Sequence, residues 1–160
     1  MNVETRHAAL CIFVREDRFL VAEIIDPFSG FRLHRPPGGG IEDGETPEQA
    51  VFREVWEELS IRLARVQLLG AIDHIWHWKN REIHERAWIF LGSVAEERRR
   101  SEGAAPEVAG ANGEIYRTLW RGLDDTESLP PLCPSALADL LRPITGSALP
   151  ASPDLPTNPR

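Results

Sequence analysis

Three glutamates, Glu54, Glu57 and Glu58, lie close together in a stretch that reads as helix. At 3.6 residues per turn, positions i, i+3 and i+4 share one face, so three carboxylates would meet there about one turn apart. Like charges at that spacing repel by roughly tenths of a kcal/mol per exposed pair, and by more when partly buried. A cation would neutralise them. Carboxylate oxygens with no Cys or His among them suit hard cations, Mg²⁺ or Mn²⁺, better than zinc, and Mg²⁺ commonly shares its coordination shell with substrate phosphates and water. Arg53, four residues before Glu57, is placed to orient a carboxylate. Upstream, Gly38-Gly39-Gly40 would let the backbone approach a metal and phosphates closely, with a carbonyl there as a further ligand. By themselves the three glutamates read better as a solvated helix face, since Glu is a good helix former and is usually exposed.

The elements that must hold these residues can be read from local signals. Thr46 is a good N-cap, Pro47 suits the first helical position and Gln49 completes a Thr-x-x-Gln capping box, which predicts a helix from about Pro47 to Leu59. Val51, Val55 and Leu59, widened by Phe52 and Trp56, form the stripe that anchors it to a core and leaves its acids facing out. His7 to Val14 and Phe19 to Ile25 read as two strands of a hairpin joined by a polar turn. Pro27 to Gly40 is expected to be loop, with a short strand near Phe31 to Leu33. Val66 to Ile75 and Ile83 to Val94 read as strands separated by a loop over His77 to Glu82, and Ile115 to Trp120 as another strand. Ala95 to Gly113, with its charge run Glu96 to Arg100, has the composition of a solvated loop, and Ser135 to Leu141 that of a short helix.

Length and composition set bounds on class. A chain of 160 residues, 42% apolar and 27% charged, suits one folded domain with a single core, expected over residues 1–142, followed by a proline-rich, disordered tail over 143–160. The formal charge of -7 disfavours binding to nucleic-acid polymers and acidic membranes, so an anionic substrate would need a local change of sign. Two cysteines, Cys11 and Cys133, cannot make a disulfide framework, and no run approaches the length of a membrane span. The expectation is a cytoplasmic protein.

Taken together, the residues from Gly39 to Ile61 make one string, Gly39-x5-Glu45-x7-Arg53-Glu54-Val55-x-Glu57-Glu58-x-Ser60-Ile61. It resembles the Nudix box, Gly-x5-Glu-x7-Arg-Glu-U-x-Glu-Glu-x-Gly-U with U aliphatic, at every defined position but one. The resemblance to the Nudix hydrolase family, and to its MutT-like members, implies an α/β fold, an α/β/α sandwich around a mixed β-sheet. It also implies a Mg²⁺-dependent or Mn²⁺-dependent hydrolase that cleaves a pyrophosphate bond in a small-molecule nucleoside diphosphate derivative. By the matched positions, Glu54, Glu57 and Glu58 are implied metal ligands, Glu45 a supporting acid and Arg53 the residue that orients it. The carbonyl of Gly38 or Gly39 is a further implied ligand, and Gly38 and Gly39 are expected against the substrate. A further acid from a later loop is implied, for which Glu114 is preferred to Glu107. The departure is Ser60, where the family has a glycine that ends the helix in a left-handed conformation. No ligand is lost there, and a non-Gly residue adopts that conformation at a cost of roughly 1 kcal/mol.

A Nudix-fold binding or regulatory module without catalysis is the alternative, but loss of catalysis usually shows as missing glutamates and all four are present. ADP-ribose-type members tend to carry a proline about sixteen residues after the box, where this chain has His77, and no coenzyme A signature is apparent upstream. Nucleoside triphosphates and their damaged forms are the leading substrates. Arg32, His34 and Arg35 are open between phosphate contact, with Arg35 as the substrate-binding candidate, and ordinary surface charge. His74 and His77 lack a third metal ligand and read better as surface histidines. Trp76 and Trp78, two apart on an extended chain, would point the same way. Trp78 is therefore a candidate for stacking on a nucleobase, with core packing or a homodimer interface as the alternatives.

Overall fold

The structure, a computed structural model, describes residues 4–94, 108–109, 115–125 and 129–145. In chain order its elements are β1 (Arg6–Ile12), β2 (Val14–Arg15), β3 (Arg18–Ile25), β4 (Arg32–Arg35), β5 (Gly38–Gly40), α1 (Pro47–Leu59), β6 (Leu63–Trp78), β7 (Arg81–Val94), β8 (Val108–Ala109), β9 (Ile115–Tyr116), β10 (Thr118–Gly122) and α2 (Leu137–Thr145). Ala8 to Ile12 form a run buried on both faces, which is the pattern of a strand inside a covered sheet. β1 accordingly lies within a mixed sheet ordered β5-β1-β7-β6, parallel to β7 and antiparallel to β5. A second sheet is ordered β10-β3-β2, with β4 paired to β3.

Alternation along β1 builds two cores. Ala9 and Cys11 pack with Val51, Val55 and Leu59 of α1, whereas Leu10 and Ile12 pack with Ala87, Ile89 and with Leu137 and Leu141 of α2. The two helices thus cover opposite faces of the mixed sheet, which is the expected sandwich. Both cysteines are buried and free. Among the described residues no helix is long and apolar enough to cross a membrane.

Several local expectations are corrected. The first hairpin is made by β2 and β3 alone, because the chain breaks at Phe13 and sends β1 into the other sheet. Gly38–Gly40 is a strand, since β1 offers it a ladder from Ala8 to Leu10 that no local signal reveals. The loop between β6 and β7 shrinks to Lys79 and Asn80, whose φ of 50° and 59° make a two-residue turn that matches the twist of its strands. Trp76, His77 and Trp78 therefore lie inside β6 rather than beyond it. The last helix is Leu137–Thr145, so it starts later than expected and passes through Pro143, beyond the expected domain limit at 142. Residues from 146 onward, where the tail was expected, lie outside the described residues, as do Glu96 to Arg100.

Candidate active site

Helix α1 carries the acids, and its ends are specified as its sequence predicts. Thr46 Oγ1 accepts from the Gln49 N–H at 3.1 Å and the Thr46 N–H donates to Gln49 Oε1 at 2.9 Å, with Pro47 in the first turn. Ala50, Val51, Val55 and Leu59 are buried, so one face is clamped to the sheet. Trp56 is 48% exposed and does not widen that stripe; it lies under the Arg62 guanidinium at 5.2 Å instead. Ser60 ends the helix with φ 53° and ψ 32°, and its N–H donates to the Trp56 carbonyl at 2.9 Å. Serine thus takes the left-handed cap that glycine would fill.

Arg53 is the hub of the acid face. Its Nε and Nη2 donate to the two oxygens of Glu45, both at 2.8 Å, and Nη2 also donates to the Gly40 carbonyl at 2.9 Å. Its Nη1 reaches Glu54 at 2.8 Å and Glu57 at 3.1 Å. Arg53 holds the Glu45 carboxyl down at about 2, with the Glu42 amide helping. Glu45 is therefore a permanent anion that fixes the guanidinium. Glu58 stands apart from this fork and accepts from the Gly38 N–H at 3.0 Å. Burial pushes its carboxyl up to about 8, with the charges of Glu54 and Glu57 adding to the effect. Glu54 is also raised, by burial first, against the pull of Arg53.

The glycine strand fits against this face because it has no side chains. A Cβ on Gly39 would come within 2.7 Å of the Glu54 carboxyl, and one on Gly38, whose φ is 142°, would collide with the Ala9 backbone. It is the Gly38 amide that faces Glu58. Among the described residues no three His, Cys, Asp or Glu side chains stand ready to enclose a metal as they lie. The acids themselves fit a hard divalent cation: every side-chain donor is a carboxylate oxygen, and Arg53 takes Glu45, Glu54 and Glu57 but not Glu58. Glu114 and Glu107 lie outside the described residues.

Behind the glycine strand lies a buried charge cluster that sequence reasoning missed. Glu85 of β7 is buried and accepts from Arg35 Nη2 at 2.7 Å, with His74 Nε2 at 2.9 Å on the same oxygen. Burial alone would raise its carboxyl, but His74, Arg35 and Arg6 outweigh that and hold it at about 2. Arg35 is therefore not surface charge. It is buried, lies over the Trp76 ring at 5.0 Å and has Nη1 3.7 Å from Cys133 Sγ. His34 is buried too and meets Arg121 Nη1 at 3.0 Å and Glu23 at 3.4 Å; Arg32 stays outside, paired with Glu23. The one signal for Glu85 is an acid set within an otherwise strand-forming run, and many exposed residues share that signal.

His74 and His77, three apart on a strand, point to opposite faces. His74 joins Glu85, while His77 is 71% exposed beside Glu82, so they cannot share an ion. Trp76 and Trp78 do share a face, with ring centroids 6.0 Å apart at 43°, and both are half-buried.

Known proteins place this architecture. The family model described as NUDIX domain matches residues 4–135. The crystal structure of the MutT NUDIX hydrolase from Burkholderia pseudomallei is 27% identical with a TM-score of 0.60, over 85% of this chain and 96% of that one. The MutT protein from Methanosarcina mazei Go1, 19% identical with a TM-score of 0.60 over 89% of this chain and 95% of that one, shares the fold. Over 88 residues the chain is 31% identical to an RNA pyrophosphohydrolase of Vibrio vulnificus strain YJ016. That match takes in 46% of this chain and spans about half the length of the relative, 51%.

Proposed function

The chain belongs to the NUDIX family, and from that premise we propose that it is a divalent-metal-dependent pyrophosphohydrolase acting on a nucleoside diphosphate derivative, with nucleoside triphosphates the leading substrates. One observation carries the reading. Glu54 and Glu58 stand against a side-chain-free strand, Glu54 where a Cβ on Gly39 would lie and Glu58 on the Gly38 amide, and Arg53 holds Glu57 beside Glu54. Glu54, Glu57 and Glu58 would hold Mg²⁺ or Mn²⁺, with a Gly38 or Gly39 carbonyl and Glu114 as further candidates. When bound, such an ion supplies charge neutralisation at phosphorus and a water acidic enough to attack it.

The chain's own residues do the rest. Arg53, locked by Glu45 and the Gly40 carbonyl, orients Glu54 and Glu57. The Gly38 amide fixes Glu58, and the absence of side chains on Gly38 and Gly39 lets a diphosphate lie against the backbone. Trp78, beside Trp76, offers a nucleobase a face to stack on, and Arg35 braces Trp76 from below. An RNA carrying a pyrophosphate-linked end is a second reading, favoured by the 31% identity to the Vibrio vulnificus RNA pyrophosphohydrolase and opposed by the charge of -7. It uses the same diphosphate chemistry.

The deciding experiment is a phosphate-release screen of nucleoside triphosphates, dinucleoside polyphosphates, nucleotide sugars and triphosphorylated RNA, with Mg²⁺ and then with chelator. Turnover that needs the metal, and that falls by orders of magnitude in Glu57→Gln with an unchanged melting curve, supports the reading. Chelator-resistant turnover would overturn it. Binding of a nucleotide without turnover would favour the regulatory module instead.

A further inference from the structure

We propose that His34 is an acid-sensitive latch: in its neutral form it fastens residues 130–133 onto β4, and its protonation releases them. Three of those residues are held. The His34 N–H donates to the Pro131 carbonyl and the His34 carbonyl accepts from the Cys133 N–H, both at 2.9 Å. Arg121 Nη1 donates to the Pro130 carbonyl at 2.7 Å and lies 3.0 Å from His34 Nδ1. One guanidinium thus ties the imidazole and the segment together.

That contact fixes the state of the ring. A guanidinium carries donors only, so Nδ1 presents its lone pair to Arg121 and the proton sits on Nε2, which faces Glu23 Oε2 at 3.4 Å. A second proton, on Nδ1, would set N–H against N–H and place two cations side by side. His34 is 0% exposed and Arg121 1%, so water screens neither. Burial is the largest force against protonation, and Arg121 of β10 and the nearby Arg117 add to it. Glu23 of β3 acts the other way but is shared with Arg32, and residues 130–133 bring only the Cys133 thiol. The imidazole is held below its ordinary 6.5. The fold therefore keeps His34 neutral where an opened segment would let it take up a proton. The latch is tight above 6.5 and loosens as pH falls through that value.

The test is hydrogen exchange of the full chain, read by mass spectrometry between pH 7 and pH 5 and corrected for the intrinsic pH dependence of exchange. The Cys133 amide should lose protection by up to about twenty-five-fold, the extra proton binding of an ordinary histidine over that interval, while the amides of β1 keep theirs. His34→Asn should abolish the dependence, because the asparagine oxygen can accept from Arg121 in place of Nδ1 and does not titrate in this range. Imidazole ¹⁵N resonances of the wild type check the ring without any variant: the proton should sit on Nε2 at pH 7, and the titration midpoint should fall below 6.5. A ring protonated on Nδ1 at pH 7, or a midpoint at 6.5 or above, would overturn the proposal. So would a change at Cys133 of less than twofold, an equal change throughout β1, or a pH dependence that survives in His34→Asn.

Discussion

Glu58→Gln should stabilise the metal-free protein at neutral pH and do almost nothing at pH 5. Burial pushes the Glu58 carboxyl up to about 8 from an ordinary 4.5, with Glu54 and Glu57 adding and the Gly38 amide and Arg35 opposing. An acid raised in this way keeps its proton in the fold after the unfolded chain has released it. Stability is then greatest below the unfolded value and falls as pH rises, until the folded group also ionises near 8. From pH 4.5 to 7.5 the loss accumulates at about 1.4 kcal/mol per unit, roughly 4 kcal/mol at most, and local relaxation and water entry reduce it to about 2 to 4 kcal/mol. Glutamine keeps the shape and an oxygen for the Gly38 N–H at 3.0 Å, but never ionises. The gain at pH 7.5 should raise Tm by about 4 to 16 °C for a domain of this size, at roughly 2 to 4 °C per kcal/mol. At pH 5 the difference should stay under about 1 kcal/mol. The assay is calorimetric melting in chelator from pH 5 to 8.5, repeated with Mg²⁺, where the variant should show the smaller metal-induced rise because it has lost a ligand. A Tm difference that is flat across this range would refute the argument that burial keeps the Glu58 carboxyl protonated.

Ser60→Gly should stabilise the protein by about 0.5 to 1 kcal/mol, since glycine adopts the left-handed φ of 53° without a Cβ penalty, and urea unfolding measures it. Glu85, held at about 2, contributes stability that is complete above its unfolded value and lost as pH falls from about 5 toward 2. Glu85→Gln should flatten that acid limb and cost about 3 to 5 kcal/mol at pH 7, because Arg35 is left buried without its anion. A variant as stable as wild type would show that Arg35 finds another partner. Trp78→Ala should raise KM for a nucleotide by roughly tenfold, the worth of one stacked base, while sparing base-free polyphosphate. An unchanged KM together with a fall in oligomeric size would assign the pair to an interface.

What was legible in the sequence was local. Helix α1 has the predicted limits Pro47 and Leu59, because its cap, its first-turn proline and its apolar spacing act over three or four residues. Helical spacing also puts Glu57, four residues on, within reach of Arg53 without help from the rest of the fold. Tertiary structure decided what depends on distant partners. His7 to Val14 looked like half of a hairpin, and only the match of two apolar faces to α1 and α2 makes Arg6–Ile12 a central strand parallel to β7. Gly38–Gly40 became a strand because β1 supplied the ladder. Arg35 read equally well as surface charge, and its burial follows from Glu85, 50 residues away, arriving opposite it with an unopposed carboxylate. Propensity and capping are written within a turn or two of chain, whereas a charge is buried only where folding brings its counter-charge to the same place.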